Sequence, residues 1–274
     1  MSLSKAYMSS SVFQTCLTHA FSTEREEIMG LLLGKWIKVK EKDVAYVEAI
    51  SISRRLDKLK DRVEISPEQL MHAMNEGEKL QLNVIGWYHS HPHLIVSPST
   101  VDLRTQLNMQ QLDHRFFGII FSCFNQDDNV QRLNITCFQS SSIDNCPGHL
   151  EIPLIITSDE TYPDYSLYQL TELPNILFTE EKNSFEESLQ NKDISNELDS
   201  SLANKLTYQH NSFIYMEGIS NIVDKLSIPI CQEIESINNQ LKSDIEKLQE
   251  RKKTLLKNIY NDRNASSPTN KKPS

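Results

Sequence analysis

Trp87-Tyr88-His89-Ser90-His91-Pro92-His93-Leu94-Ile95-Val96-Ser97-Pro98-Ser99-Thr100-Val101-Asp102 opens as the end of an apolar strand and closes as the start of a helix. His89 and His91 are two apart, and Asp102 follows eleven residues after His91, so three good divalent-metal ligands fall within fourteen positions. Residues 81–88 read as a buried strand, and positions two apart on a strand project from one face, so the two imidazoles point the same way. In Ser97-Pro98-Ser99-Thr100-Val101-Asp102, Pro98 is the breaker, Ser99 the cap and Asp102 lies one turn inside the helix. The loop between His91 and Ser99 is short and folds Asp102 back over the imidazoles. Two nitrogens and one carboxylate oxygen leave a tetrahedral zinc one open position, as catalytic zinc sites have and structural ones do not. A metal-acidified water is the implied reagent.

Outward from this stretch, 274 residues with 38% hydrophobic content are enough for one large domain with residues to spare. A net charge of −9 argues against nucleic acid as a direct ligand. No apolar run reaches the ~18 residues of a membrane span, so none is expected. Met1 to Ser11 is polar and lacks the basic and apolar halves of a signal peptide. The five cysteines, Cys16, Cys123, Cys137, Cys146 and Cys231, are odd in number and lack a Cys-x-x-Cys pair. They read as reduced thiols of a cytoplasmic or nuclear protein.

Val12 to Ala20 has the apolar spacing of a short amphipathic helix. Glu26-Glu27 leads into Ile28-Met29-Gly30-Leu31-Leu32-Leu33-Gly34, an apolar run suited to a buried strand. Ala45 to Ile52 is a second strand, and the basic run Arg54 to Lys60 reads as a solvated loop or a contact for an acidic partner. Ser66-Pro67-Glu68-Gln69 is a helix start, with Ser as cap, Pro at the first helical position and Gln at the box position. The helix from there is expected to run to Leu80. Asp102 to Leu112 continues as helix, and Phe116 to Phe124 and Leu133 to Phe138 are strands joined by a turn at Asp127-Asp128-Asn129. The expected fold class is α/β (α+β), a mixed β-sheet flanked by helices.

His-x-His, seven residues, Ser, two residues, Asp, directly after an apolar strand, resembles the JAMM signature of the MPN-domain zinc metalloproteases. His89, His91, Ser99 and Asp102 fall on its four marked positions. In that family a Glu immediately before an apolar-Met-Gly strand holds the metal-bound water, and Glu27 stands there. The resemblance therefore makes Glu27 the general base and then general acid, with one zinc per chain on His89, His91 and Asp102. The family places the Ser99 hydroxyl where it donates to the developing oxyanion, besides its capping role. Ser90 reads as backbone support and His93 as a loop residue.

Arg62 to Leu70, Gly86 to His93, Val101 to Gln106 and Ile120 to Phe124 are similar to the catalytic-subunit family of the BRISC and BRCA-associated deubiquitinase complexes. That resemblance implies a zinc isopeptidase for lysine-63-linked polyubiquitin, working in the cytoplasm and nucleus in a higher-order hetero-oligomer. It also implies activity beside an Abraxas-like MPN-minus pseudo-protease. One departure is Ser97, where the family has an aromatic residue, which bears on local substrate contacts and not on the metal.

Beyond Gln139, Cys146-Pro147-Gly148-His149 lacks the partners for a second metal site, and Glu151 to Ile156 reads as an edge strand because of its Pro. Residues 1–178 are the expected enzyme domain and 179–210 an acidic linker or surface helix. In 211–260, Ile219, Val223, Leu226, Ile230, Ile234, Ile237, Leu241, Ile245 and Leu248 recur at spacings of three and four. Leu256 and Ile259 continue the stripe while Lys252 breaks one position. An eleven-residue repeat of this kind belongs to a nearly straight or slightly right-handed coiled coil that meets partner helices. Pro229 either kinks it or marks a new start. Residues 261–274 read as disordered.

Two function classes follow, a zinc-dependent deubiquitinase and a non-catalytic MPN scaffold assembling through its C-terminal helix. Scaffold members lose ligands or the Glu, whereas Glu27, His89, His91, Ser99 and Asp102 are all present here. A zinc nucleoside deaminase needs His-x-Glu with Pro-Cys-x-x-Cys, and neither occurs.

Overall fold

The computed structural model describes residues 2–53, 65–127, 130–143, 146–158, 164–190 and 200–265. The elements run β1 (Lys5–Ser9), α1 (Ser10–Ala20), β2 (Met29–Val39), β3 (Lys42–Ile52), α2 (Pro67–Leu80), β4 (Asn83–Pro92), α3 (Thr100–Leu112), β5 (Phe117–Asp127), β6 (Val130–Ile143), β7 (Cys146–Glu151), β8 (Leu154–Thr157), α4 (Asp164–Gln190), α5 (Ser200–Ile222) and α6 (Ile228–Ala265). The basic run Arg54 to Lys60, and Asp128-Asn129 of the expected turn, lie outside the described residues.

The strands form one mixed sheet in the order β7-β6-β5-β4-β2-β3-β1-β8. The β4–β5, β1–β3 and β1–β8 pairs are parallel and the rest antiparallel. A parallel neighbour needs a crossover, and α3 supplies it between β4 and β5. Both faces of the central strands are covered, which is why Leu31, Leu32 and Leu33 are all fully buried in succession. On one face Leu31, Leu33, Ala73, Trp87, Leu103 and Phe138 pack in a single cluster. On the other, Tyr88 and Phe121 meet α1, through His19 and Phe13.

Two strands were not expected. Lys5-Ala6-Tyr7-Met8-Ser9 alternates half-buried and buried residues, and it is held as β1 by parallel ladders to β3 and β8 on its two sides. The polar segment after Gln139 extends β6 and returns as β7, an edge strand antiparallel to it. At the opposite edge, the strand expected over Glu151 to Ile156 forms only from Leu154. Pro153, which has no N–H for a ladder, stands just before it while its carbonyl accepts the Ala6 N–H at 2.9 Å.

Met1–Leu226 and Ser227–Ser274 are separate compact units. The boundary expected at residue 178 lies inside α4, where Leu170, Leu173 and Leu177 are buried on one side of a helix that also contains Pro174. Phe185 of α4 stacks on Tyr215 of α5, with ring centroids 4.8 Å apart. Residues 191–199 of the expected acidic linker lie outside the described residues. A π-helical turn, Val223–Ser227, precedes α6. Pro229 explains it, because its ring removes a backbone donor and crowds the preceding turn, which widens. α6 continues through Ala265, so Asn261 to Ala265, expected to be disordered, are helical.

Candidate metal centre

Register brings the site together. Met29 of β2 pairs with His89 of β4, and the same antiparallel register carried two residues further sets Glu27 across from His91. Alternation then puts the Glu27 side chain on the same face as both imidazoles. Strand β4 itself runs through His91, beyond the expected end at Tyr88, so His89 is held by ladders to β2 and β5 and His91 by the ladder to β5. His93 adopts a left-handed backbone, with φ of 58°, and turns the chain away from the sheet. α3 then begins at a reciprocal cap between Ser99 and Asp102.

His89, His91 and Asp102 are buried, and their ligand atoms all lie within 4.8 Å of one another. The two Nε2 atoms are 3.1 Å apart. Asp102 Oδ1 is 3.4 Å from His89 Nε2, and Oδ2 is 3.5 Å from His91 Nε2. A tetrahedron with zinc–ligand bonds of ~2.1 Å has edges of ~3.4 Å, and the separation of the imidazoles and of each imidazole from its nearer carboxylate oxygen is close to that edge, so two nitrogens and a carboxylate suit the ion in chemistry and in approximate spacing. Glu27 Oε1 stands 3.9 Å from His91 Nε2, at the margin of the set. Glu27 is buried, whereas Ser99 is exposed at the mouth.

The electrostatics favour a cation. Burial pulls the His89 pKa below its ordinary value, against the opposing pull of Asp102. At His91 burial acts the same way, but the Asp102 hydrogen bond, the Ile95 carbonyl and the Glu27 charge together raise the pKa. Burial alone would raise Asp102, yet its bonds to both histidines and to the Ser99 backbone hold it well below the usual carboxylate range. A fixed carboxylate between two imidazoles is a donor set that a divalent ion completes.

Neighbouring residues orient the ligands. His91 Nδ1 is 2.8 Å from the Ile95 carbonyl, which assigns the proton to Nδ1 and leaves the Nε2 lone pair for the site. That loop is in turn pinned from β5, where Ser122 Oγ donates to the Leu94 carbonyl at 2.5 Å and Asn125 Nδ2 donates to the same oxygen at 3.2 Å. The His89 ring stacks on Trp87, with centroids 4.5 Å apart and planes at 13°. Trp87 Nε1 donates to Gln106 Oε1 at 2.8 Å, and Gln106 Nε2 donates to the Phe116 carbonyl at 2.8 Å. His89 Nδ1 is buried without a hydrogen-bond partner among the described residues, so the stack on Trp87 and the contact of Nε2 with Asp102 set this ring.

Gln106, Ser122 and Asn125 were not anticipated as supports. Gln106 lies one turn after Asp102 on α3, and that spacing was the one available signal. His93 is exposed and 3.8 Å from Glu24, and His114 is exposed beside Asp113, so neither joins the metal group. Ser97 is exposed on the loop. Nothing is described of the Cys146 side chain.

Residues 1–115 match the JAB1/Mov34/MPN/PAD-1 ubiquitin protease family, and residues 166–255 match the BRCC36 C-terminal helical domain. Among curated relatives, the Lys-63-specific deubiquitinase BRCC36 of Xenopus tropicalis is 37% identical over 94% of this chain and 98% of its own length. The protein of the same name from Camponotus floridanus is 40% identical over 85% of this chain and 88% of its own length. That from Rattus norvegicus is 35% identical over 91% and 94% respectively. With full-length likeness of this order and both domains matched, the chain belongs to the BRCC36 family of JAB1/Mov34/MPN/PAD-1 ubiquitin proteases.

Proposed function

We infer that this chain is a zinc-dependent deubiquitinase that hydrolyses the isopeptide bonds of lysine-63-linked polyubiquitin, as the names of its relatives state of them. The observation that carries the chemistry is the buried convergence of His89, His91 and Asp102 with Glu27 at its margin. Zinc held by the three ligands would supply a Lewis acid and lower the pKa of a water toward ~7.

The chain's own residues do the rest. Glu27, through the Oε1 that approaches the site, takes a proton from the attacking water as the new carbon–oxygen bond forms. It returns that proton to the lysine nitrogen as the carbon–nitrogen bond breaks, so the amine leaves neutral. Supporting this role are its burial and its shared face with the imidazoles. Ser99 accepts the Asp102 N–H through Oγ, so its own hydroxyl proton remains to be donated to the oxyanion on the substrate carbonyl. A non-catalytic scaffold has no use for such a donor set.

The same reading extends to partners. The chain acts beside an Abraxas-like MPN-minus pseudo-protease in a hetero-oligomer, joined through its domain and its C-terminal helices. The support is the row of exposed apolar side chains along α6, Leu241, Ile245, Leu248, Leu256 and Ile259 among them. It works in the cytoplasm and nucleus, which suits the free thiols of Cys16, Cys123 and Cys137.

The test is a ubiquitin-linkage panel cleaved by the full chain, alone and with its partner, beside Glu27→Gln and the His89→Ala, His91→Ala double variant. Glu27→Gln is expected to keep about one zinc per chain and lose ~10²- to 10⁴-fold in rate. The double variant is expected to lose the metal and all cleavage. Wild-type cleavage by Glu27→Gln, or full zinc occupancy without the two imidazoles, would overturn the assignment.

A further inference from the structure

We propose that Ser90, the residue between the two imidazole ligands, is a positioning residue that sets Glu27 by gripping the backbone of Ile28. Ser90 is fully buried, and its own N–H donates to the Ile28 carbonyl at 3.0 Å. In return the Ile28 N–H donates to Ser90 Oγ at 3.0 Å.

The pattern departs from a regular ladder. Met29 pairs with His89, so Ile28 and Ser90 are the next residues along the two strands. A hydrogen-bonded antiparallel pair exchanges two backbone bonds, N–H to carbonyl in each direction. Here the second acceptor is a side-chain hydroxyl. The chain is released from the ladder at Ile28 yet held at two points there, and Glu27 is the next residue outward. Its direction is therefore set by a bond that only a short hydroxyl side chain at position 90 supplies.

Geometry also separates Ser90 from the chemistry. Residues alternate across a strand, so the Ser90 side chain lies on the face opposite His89 and His91 and does not touch the substrate. It acts through Glu27, whose Oε1 is 3.9 Å from His91 Nε2. Displacing a reacting group by ~1 Å can cost ~10²-fold in rate. Removing the hydroxyl also leaves the Ile28 N–H buried without its acceptor, so the strand end is expected to move rather than wait.

This inference rests on the assignment of Glu27 as the proton carrier. Ser90→Ala removes the acceptor, and Ser90→Cys removes it while nearly keeping the volume, since sulfur is a weak acceptor. In the zinc-free full chain, amide exchange at Ile28 is expected to quicken ~10-fold or more in both variants. In the assembled, zinc-loaded enzyme, both are expected to keep the metal and KM while kcat falls ~10- to 100-fold. Placed in the Glu27→Gln background, either change is expected to lower the residual rate no further, because the two residues act as one unit. If Glu27→Gln keeps the wild-type kcat, the Glu27 assignment falls and this inference with it. If Glu27→Gln is crippled but the Ser90 variants keep wild-type kcat, lose zinc, leave Ile28 exchange unchanged, or lower the rate equally in both backgrounds, the Ser90 inference alone is overturned. Should Ser90→Ala fail to fold, the Cys variant decides by the same outcomes.

Discussion

Asp102 Oδ2 accepts the Ser99 N–H at 2.6 Å while Ser99 Oγ accepts the Asp102 N–H at 3.2 Å, so the carboxylate of the metal group is also half of the cap that starts α3. One residue thereby couples helix initiation to ligand placement. The coupling removes rotamer freedom from Asp102 before any metal arrives, which is the preorganisation a ligand needs.

The two roles separate by substitution. Asp102→Asn keeps an acceptor for the Ser99 N–H but loses the charge, whereas Asp102→Ala loses both. Measured with chelator present, Asp102→Ala is expected to be ~1 kcal/mol less stable than Asp102→Asn, the usual worth of such a cap. Both are expected to bind zinc poorly. Equal stabilities in chelator would mean that the Asp102 half of the cap contributes nothing.

Close packing behind the site makes a second prediction. A Cβ added at Gly30 would lie 2.4 Å from Tyr88 Cε1, and the Tyr88 hydroxyl is 2.9 Å from His19 Nδ1. Tyr88 is fully buried between β2 and α1, so its ring has no free space to retreat into. Gly30→Ala is expected to destabilise by ~1–3 kcal/mol through overpacking, read by denaturant unfolding. A change below ~0.5 kcal/mol would show that the ring shifts freely.

Local pattern explains which parts of this molecule were legible beforehand. His89 and His91 could be read because strand alternation is a property of the two residues and their spacing. The Ser66–Gln69 and Ser99–Asp102 caps could be read because a capping box spans only four residues, and both form. β1 and β7 could not, since Lys5 to Ser9 is only five residues long, Cys146 to Glu151 is short and mostly polar, and both become strands only because β3, β8 and β6 offer them partners. Gln106 and Ser122 share that difficulty. Each is a polar residue whose role depends on contacts from distant segments, with the Phe116 carbonyl for one and the Leu94 carbonyl for the other. Composition leaves the segment after residue 178 open between an acidic linker and a surface helix, because acidic residues mark a solvated face without saying whether the helix beneath it continues, and the segment is helical through Gln190.

Acid sensitivity gives a third prediction. Arg115 grips Asp113 with two bonds, Nε–H to Oδ1 at 2.9 Å and Nη2–H to Oδ2 at 2.7 Å, while its guanidinium lies 4.2 Å over the Trp36 ring. The Arg115 bonds are the main reason that the Asp113 pKa is lowered. A lowered folded-state pKa gives stability that is present above the unfolded value of ~3.9 and lost as pH falls through the folded one. The pair is partly solvated, so Asp113→Asn is expected to cost no more than ~1 kcal/mol at neutral pH. Melting temperatures in chelator are expected to differ at pH 7, to converge from pH ~5 downward, and to meet once the pH is below the lowered folded-state value. A gap that persists undiminished at the acid end would assign the loss to the end of α3 and not to the charge pair.

The last prediction concerns the C-terminal helix. α6 runs 38 residues, and Leu241, Ile245, Leu248, Leu256 and Ile259 remain exposed along it. Each buried methylene is worth ~0.8 kcal/mol, so leaving this row in water forfeits far more than a marginally stable chain can spare without a partner. An isolated helix with most of its surface polar has no core of its own to bury the row against. On the proposal made above, a partner helix docks along it and holds the catalytic domain in the arrangement that cleaves. Ile234, Ile237 and Leu241 changed together to Asp would place three charges in that seam, each costly to bury without a counter-ion. The triple variant is expected to keep its zinc, lose assembly with an MPN-minus partner and lose cleavage of lysine-63-linked chains. Light scattering reads the first loss and a chain-cleavage assay the second, with metal analysis as the control. Wild-type cleavage by a variant shown to be monomeric would separate assembly from catalysis and refute the coupling.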